Sequence, residues 1–209
     1  MKVFRGFSYD VPRGPCALTI GNFDGVHRGH MVLLAQLREA ADRLHLPAAV
    51  LTFSPHPRQY FAFQSDKSVT APATITPLRE KIQALSQCGV DQVTIAHFDH
   101  LTASLTAEQF IEQILVRALG VKWLIIGEKF RFGKGRLGTT DMLKDAGKKY
   151  GFHVEVLPAV NDENGRISSS CIRKALEESD FPKVAELLEK PYMMSGHVVH
   201  GDKIGRDLG

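Results

Sequence analysis

Cysteine is scarce in this 209-residue chain: Cys16, Cys88 and Cys171 are odd in number and widely separated. That argues against a disulfide framework and for a reducing cytosol, and no two of them have metal-like spacing. No apolar stretch approaches the roughly 18 residues of a membrane-spanning helix. Met1 to Gly6 lacks the apolar segment of a signal peptide, so a cytoplasmic location and no membrane partner are expected. There is no Lys/Arg block, and the net charge is only +3, which argues against a nucleic-acid partner and suits small anionic substrates. The G-x-G-x-x-G pattern of dinucleotide-binding Rossmann domains is missing too. Internal repeats and low-complexity tracts are absent.

What remains is an ordinary globular composition, 44% hydrophobic and 23% charged, long enough for one domain or one plus a fragment. Its centre is Gly21-Asn22-Phe23-Asp24-Gly25-Val26-His27-Arg28-Gly29-His30. An apolar run, Cys16 to Ile20, leads into it, and Val32, Leu33, Leu34, Leu37, Ala40, Ala41 and Leu44 follow with a helical period. This reads as strand, glycine-punctuated turn and helix. Unpaired N–H groups and the dipole at a helix start favour anions. Gly25 and Gly29 are expected to let a large anion approach the main chain, and His27 and His30 share a face from which both rings reach one phosphate. A zinc pair would ordinarily be spaced i, i+4 with further ligands. A capped helix with two surface histidines is the bland alternative, made weaker by the glycines, the Asp and the preceding strand.

Further along, strand and helix signals alternate. Strands are expected at Ala48 to Phe53, Val90 to Ala96, Val121 to Ile126 and His153 to Leu157. Helices are expected from a Thr76 N-cap to about Gly89, from a Thr106–Gln109 capping box to Ala118, and from Thr140 to Tyr150. Ser54 to Arg58 should be extended around its prolines, residues 64–74 should form a mobile loop, and 161–165 a turn. One last helical region should run from Ser170 to about Glu189. The fold class is therefore α/β, a doubly wound, mainly parallel sheet, with ligands beyond the carboxyl ends of its strands. The histidine motif, Pro55-His56-Pro57, the Gly127 loop and the serines at 168–170 all fall at that edge.

At this point the chain resembles a known group. His27-Arg28-Gly29-His30 is similar to the His-x-Gly-His signature of nucleotidylyltransferases, and the longer motif resembles that of bacterial bifunctional riboflavin kinase/FMN adenylyltransferases, or FAD synthetases. Phe53-Ser54-Pro55-His56-Pro57 resembles the family's Thr-Phe-x-Pro-His-Pro segment. Gly127-Glu128-Lys129-Phe130-Arg131-Phe132-Gly133 resembles its Gly-x-Asp-Phe-x-Phe-Gly segment, with Lys129 where Asp or Asn is usual. Ile167-Ser168-Ser169-Ser170-Cys171-Ile172-Arg173 resembles Ile-Ser-Ser-Thr-x-x-Arg.

The resemblance implies a Rossmann-like nucleotidylyltransferase fold and FMN adenylyltransferase activity, ATP plus FMN giving FAD and pyrophosphate. It assigns catalysis to His27, His30 and Arg173, and nucleotide binding to Gly21, Phe23, Asp24, Gly29, Gly127, Ser169 and Ser170. It assigns the flavin to His56, Pro57, Arg58, Lys129 and Phe132. Phe130 and Phe132 should point in opposite directions if extended. Asp24 would be a helix-start cap or a contact to the Mg²⁺ that accompanies ATP; no resident metal site is implied. Ser195 to Gly209 looks like the opening strand of the family's C-terminal riboflavin kinase β-barrel, giving 1–186 as the adenylyltransferase domain and 187–209 as linker and first strand of a truncated kinase domain. The full-length parent would also phosphorylate riboflavin, whereas this chain, lacking the Phe-Pro-Thr-Ala-Asn segment, would not. Alternatives are another small-molecule adenylyltransferase, acting on phosphopantetheine or nicotinamide mononucleotide, and a catalytically weak flavin- or nucleotide-binding module. A synthetase-like tRNA binder is disfavoured by the lack of a basic stripe.

Overall fold

A computed structural model describes residues 1–8, 13–65, 70–163, 165–196 and 198–199. Strand β2, Cys16–Ile20, is buried along its whole length, as a short apolar run in the middle of a parallel sheet must be. Around it lie β1 (Lys2–Arg5), β3 (Ala48–Ser54), β4 (Gln92–His97), β5 (Val121–Gly127) and β6 (His153–Leu157). They form one sheet in the order β1-β4-β3-β2-β5-β6, and every pairing is parallel. The α/β doubly wound reading holds, and the sheet is wholly rather than mainly parallel.

Side chains alternate across the sheet and feed two cores. Leu18, Ile20, Leu51, Leu124 and Ile126 pack with Phe110, Ile114, Leu115 and Leu143. Ala17, Val50, Val93 and Ile125 pack on the other face with Leu34, Leu37 and Leu85. The first face is covered by α5 (Ala107–Gln109), which widens into a π-helix over Phe110–Ala118, and by α6 (Thr140–Tyr150). The second is covered by α1 (Arg28–Leu44) and α3 (Leu78–Gln87). The chain leaves β2 toward β3 on one side and later returns to β2's other side as β5, so the carboxyl ends of β2 and β5 flank a topological switch point.

Several local expectations change. Lys2–Arg5 becomes an edge strand on β4, which its weak pattern did not announce. The Ser54–Arg58 segment is extended only through His56. Pro57 opens helix α2 (Pro57–Gln64), because proline's fixed φ and missing N–H suit the first helical position. Helix α3 begins one residue late, with Pro77 rather than Thr76 at the N-cap and no side-chain capping bond, while the Thr76 N–H donates to Asp24. A short helix, α4 (His100–Ser104), follows β4. The turn at 161–165 is a hairpin of β7 (Asn161–Asp162) and β8 (Gly165–Arg166); Asn164 lies outside the described residues.

The last helical region is two helices, α7 (Ser169–Glu177) and α8 (Phe181–Leu188), broken where Ser179 takes φ 58° and Asp180 caps Lys183. Their inner faces, with Ile75 and Ile167, make a third, smaller core that includes Leu187 and Leu188. Packing therefore continues past residue 186. Of the expected kinase-domain strand, His197 and residues 200–209 lie outside the described residues, as do 66–69 of the expected loop.

Candidate active site

The turn after β2 is wound tightly. Phe23 and Val26 have φ of 49° and 41°, and Gly25 has 92°. Positive φ is costly for a β-branched residue, and the turn keeps it because Phe23 and Val26 are both 0% exposed in the core. The Thr52 hydroxyl donates to the Asn22 carbonyl at 3.2 Å, tying the turn to β3. Gly25 does not open a path for an anion as expected. A Cβ there would meet Ile75, Leu188 and Ile172 at 3.4–3.5 Å, so this glycine serves the backbone conformation.

His27 is the N-cap of α1, and its Nδ1 accepts the His30 N–H at 3.3 Å. Accepting at Nδ1 leaves the proton of the neutral ring on Nε2. The His30 ring stacks on it, centroids 3.6 Å apart and 18° from parallel. Gly29 leaves room for this stack, since a Cβ would sit 3.3 Å from the His27 ring and push it by a few tenths of an ångström. Burial pushes His27 down to about 4, with Arg166 adding slightly and Asp24 opposing. His30 is held well below its ordinary value, chiefly by burial and then by His27 and Lys81, and its Nδ1 is sealed without a partner. Both rings are therefore neutral N–H donors near pH 7, not fixed cations.

Asp24 is not the helix cap. Its carboxylate accepts the Ile75 N–H at 3.1 and 3.2 Å and the Thr76 N–H at 3.1 Å, and pairs with Arg173 Nη2. Arg173 Nε donates to the Ala73 carbonyl at 2.6 Å, leaving Nη1 free of these contacts. Ser168 is the N-cap of α7, accepting from Cys171 N–H at 3.3 Å. Ser169 is thereby released to donate to the Asp24 carbonyl at 2.8 Å, and Ser170 is exposed. The histidine turn and the serine–arginine turn, far apart in sequence, are clamped together.

His56 caps α2: its Nδ1 accepts the Arg58 N–H at 3.0 Å while Gln59 closes a capping box. Burial lowers it to about 4, with Arg173, Lys81 and Arg58 adding and Asp24 opposing. Beyond β5 the expected alternation of phenylalanines fails. The chain bends after Gly127, and Phe130 and Phe132 lie on one side with rings 5.7 Å apart and 17° from parallel. Phe132 is buried against Phe110, while Phe130 is only half-buried and Lys129 is exposed.

Gly25 apart, the residues given a site role from the sequence line one cleft of about 1060 Å³ at the switch point: Gly21, Phe23, Asp24, His27, Gly29, His30, His56, Pro57, Arg58, Gly127, Lys129, Phe132, Ser169, Ser170 and Arg173. Asn22, Phe130, Arg166 and Ser168 line it as well, and were not singled out as ligand-binding. Ser168 was legible as the first hydroxyl before a helix. Arg166 carried no local signal.

A family model described as FAD synthetase matches residues 11–171. The chain belongs to the FAD synthetase family. Among its relatives, the bifunctional riboflavin kinase/FMN adenylyltransferase of Escherichia coli is 45% identical over 211 residues, covering 100% of this chain and 66% of that protein. The protein of the same name from Haemophilus influenzae is 48% identical, covering 100% of this chain and 67% of its own length. The chain thus spans about two thirds of these FAD synthetases. A crystal structure of a Streptococcus pneumoniae protein described as a macrolide-efflux protein superposes with a TM-score of 0.84 at 28% identity, covering 100% of this chain and 66% of that one. Among the described residues no helix is long and apolar enough to cross a membrane.

The histidine shifts give a testable consequence for this FAD synthetase-family fold. Unfolded imidazoles protonate near 6.5, but His27 and His56 resist until about 4. Between those values the unfolded chain binds more protons, so stability is complete above 6.5 and is lost as pH falls toward 4. The loss should be on the order of 2–3 kcal/mol for buried His27. Urea midpoints measured from pH 7 to 4 should fall across that window, less steeply in His27→Gln; identical profiles would contradict the burial argument.

Proposed function

We propose that this chain transfers the adenylyl group of ATP to FMN, forming FAD and releasing pyrophosphate. The observation that carries the reading is the stacked His27–His30 pair sharing one cleft with Arg173 and Ser169 at the sheet's switch point. An oxygen of the FMN phosphate attacks the α-phosphorus in line, the new P–O bond forms, and the bond to the β-phosphate oxygen breaks. Such a displacement needs no covalent enzyme intermediate, so positioning and charge stabilisation supply the catalysis.

His27 and His30 donate N–H groups to the α-phosphate oxygens, which gain charge in the transition state. The Ser169 and Ser170 turn at the start of α7 takes the β- and γ-phosphates, and Arg173 Nη1 meets the departing pyrophosphate. Gly21, Phe23 and Gly127 shape the nucleotide's floor. The flavin lies toward His56, Pro57, Arg58, Lys129 and Phe132, with half-buried Phe130 as a second aromatic neighbour. Mg²⁺ would enter with ATP. The donors present do not make a resident site for it: the described residues hold no cluster of three or more His, Cys, Asp or Glu, and both Asp24 oxygens are engaged. In this reading the adenylyltransferase unit includes all of α8, residues beyond it connect to a kinase domain in the parent, and the enzyme works in the cytoplasm.

Purified protein incubated with ATP, Mg²⁺ and FMN should yield FAD and pyrophosphate by chromatography. Phosphopantetheine and nicotinamide mononucleotide should yield no adenylylated product. Lys129, standing where the segment it resembles usually has Asp or Asn, favours one rival: binding of ATP and FMN without pyrophosphate release would mark a non-catalytic flavin-binding module.

A further inference from the structure

Asp24 and Arg173 also line a second, smaller cavity of about 170 Å³, to which adenylyl transfer as described assigns no group. It shares Asp24, Phe53, His56 and Arg173 with the large cleft but not His27 or His30. One of its walls is Lys81, in the first turn of α3 and only 8% exposed. Lysine is seldom buried to this extent without a partner. Among the described residues the Lys81 ammonium makes no hydrogen bond or ion pair within the protein, although it senses the field of Asp24. Asp24 cannot serve as its counter-ion, because that carboxylate already holds Arg173 and two N–H groups. The charged groups lining this cavity, Asp24, Arg173 and Lys81, therefore sum formally to one excess positive charge beside a neutral imidazole, an arrangement that favours an anion.

We propose that Lys81, with His56 and Arg173, binds the phosphate monoester of the acceptor. This deepens the adenylyl-transfer reading and rests on it for the identity of that acceptor as a flavin mononucleotide. A monoester carries about −1.5 to −2 charge at pH 7, enough to neutralise the excess cation. The cavity has room for a phosphate group but not for a flavin ring system. Its polar rim, including Ser54, Thr74 and Thr76, suits phosphate oxygens. The triphosphate is accounted for by the histidine and serine turns in the large cleft. Arg173 lines both cavities and so borders both anions, leaving the acceptor oxygen free to face the α-phosphorus. Lys81 thereby becomes the residue that distinguishes FMN from riboflavin.

Flavin fluorescence titrations without ATP test this independently of turnover. Wild-type protein should bind FMN at least tenfold more tightly than riboflavin. Lys81→Met should weaken FMN by roughly 10- to 100-fold while leaving riboflavin and ATP within about threefold. Equal loss for FMN and riboflavin, no loss for either, or a loss confined to ATP would overturn the assignment. Should Lys81→Met not fold, NMR of the ¹⁵N-labelled lysine ammonium in wild-type protein replaces it. The Lys81 signal should shift with FMN and not with riboflavin, and a signal indifferent to FMN would also overturn it. A wild-type protein that discriminates FMN from riboflavin through Lys81 but forms no FAD would sink only the adenylyl-transfer reading. FAD formation with no Lys81-dependent discrimination would sink only the pocket.

Discussion

His30→Ala should fold normally and lose on the order of 10²–10³ in kcat, the usual effect of deleting one preorganised donor to a charge that develops in the transition state. The fold should survive because the bond that caps α1 runs from the backbone N–H of residue 30 to His27 Nδ1, and alanine keeps that N–H. What disappears is the ring stacked at 3.6 Å and the neutral N–H it offers. If the contact is made mainly in the transition state, kcat and kcat/KM fall together while KM for ATP moves little. His30→Gln, which keeps an N–H donor, should recover part of the rate. Circular dichroism with a pyrophosphate-release assay checks both halves, and near-normal FAD formation by His30→Ala would refute the role.

The second large effect concerns stability. Asp24→Ala removes the partner of a guanidinium whose side chain is only 15% exposed, and leaves the Ile75 and Thr76 N–H groups without their acceptor. Breaking one side of a buried pair ordinarily costs about 3–5 kcal/mol, because an uncompensated charge stays behind. For a domain of this size that is a fall of roughly 10 °C in Tm. Asp24→Asn retains an acceptor oxygen and should lose less. The small core of Ile75, Ile172 and Leu188 is moored through this clamp, so limited proteolysis should cut Asp24→Ala first around α7 and α8. A Tm within about 2 °C of wild type would show that the clamp carries little of the fold.

The candidate site was legible wherever its logic is local. Gly29 is favoured by a ring two residues away, Thr106 and Gln109 close a capping box within one turn, and β2 and β5 are short, mostly apolar runs. Such features depend on neighbours within a few positions, so composition and period reveal them. The α2 helix was missed although Pro57 at a helix start is also a local device. Its two prolines were read only for the helix they exclude before them, not for the one they permit after.

By itself the sequence determined the alternation of strands and helices, the histidine and serine turns, and the carboxyl edge as their meeting place. Only the tertiary structure decided that Asp24 pairs with Arg173 across 149 residues, that Lys81 is buried with no partner among the described residues, that Phe130 and Phe132 share a side, and that Lys2–Arg5 completes the sheet. The reason is physical. Period and capping are written in neighbouring residues, whereas a charge's partner and its distance from water depend on which distant segments the packed core brings together.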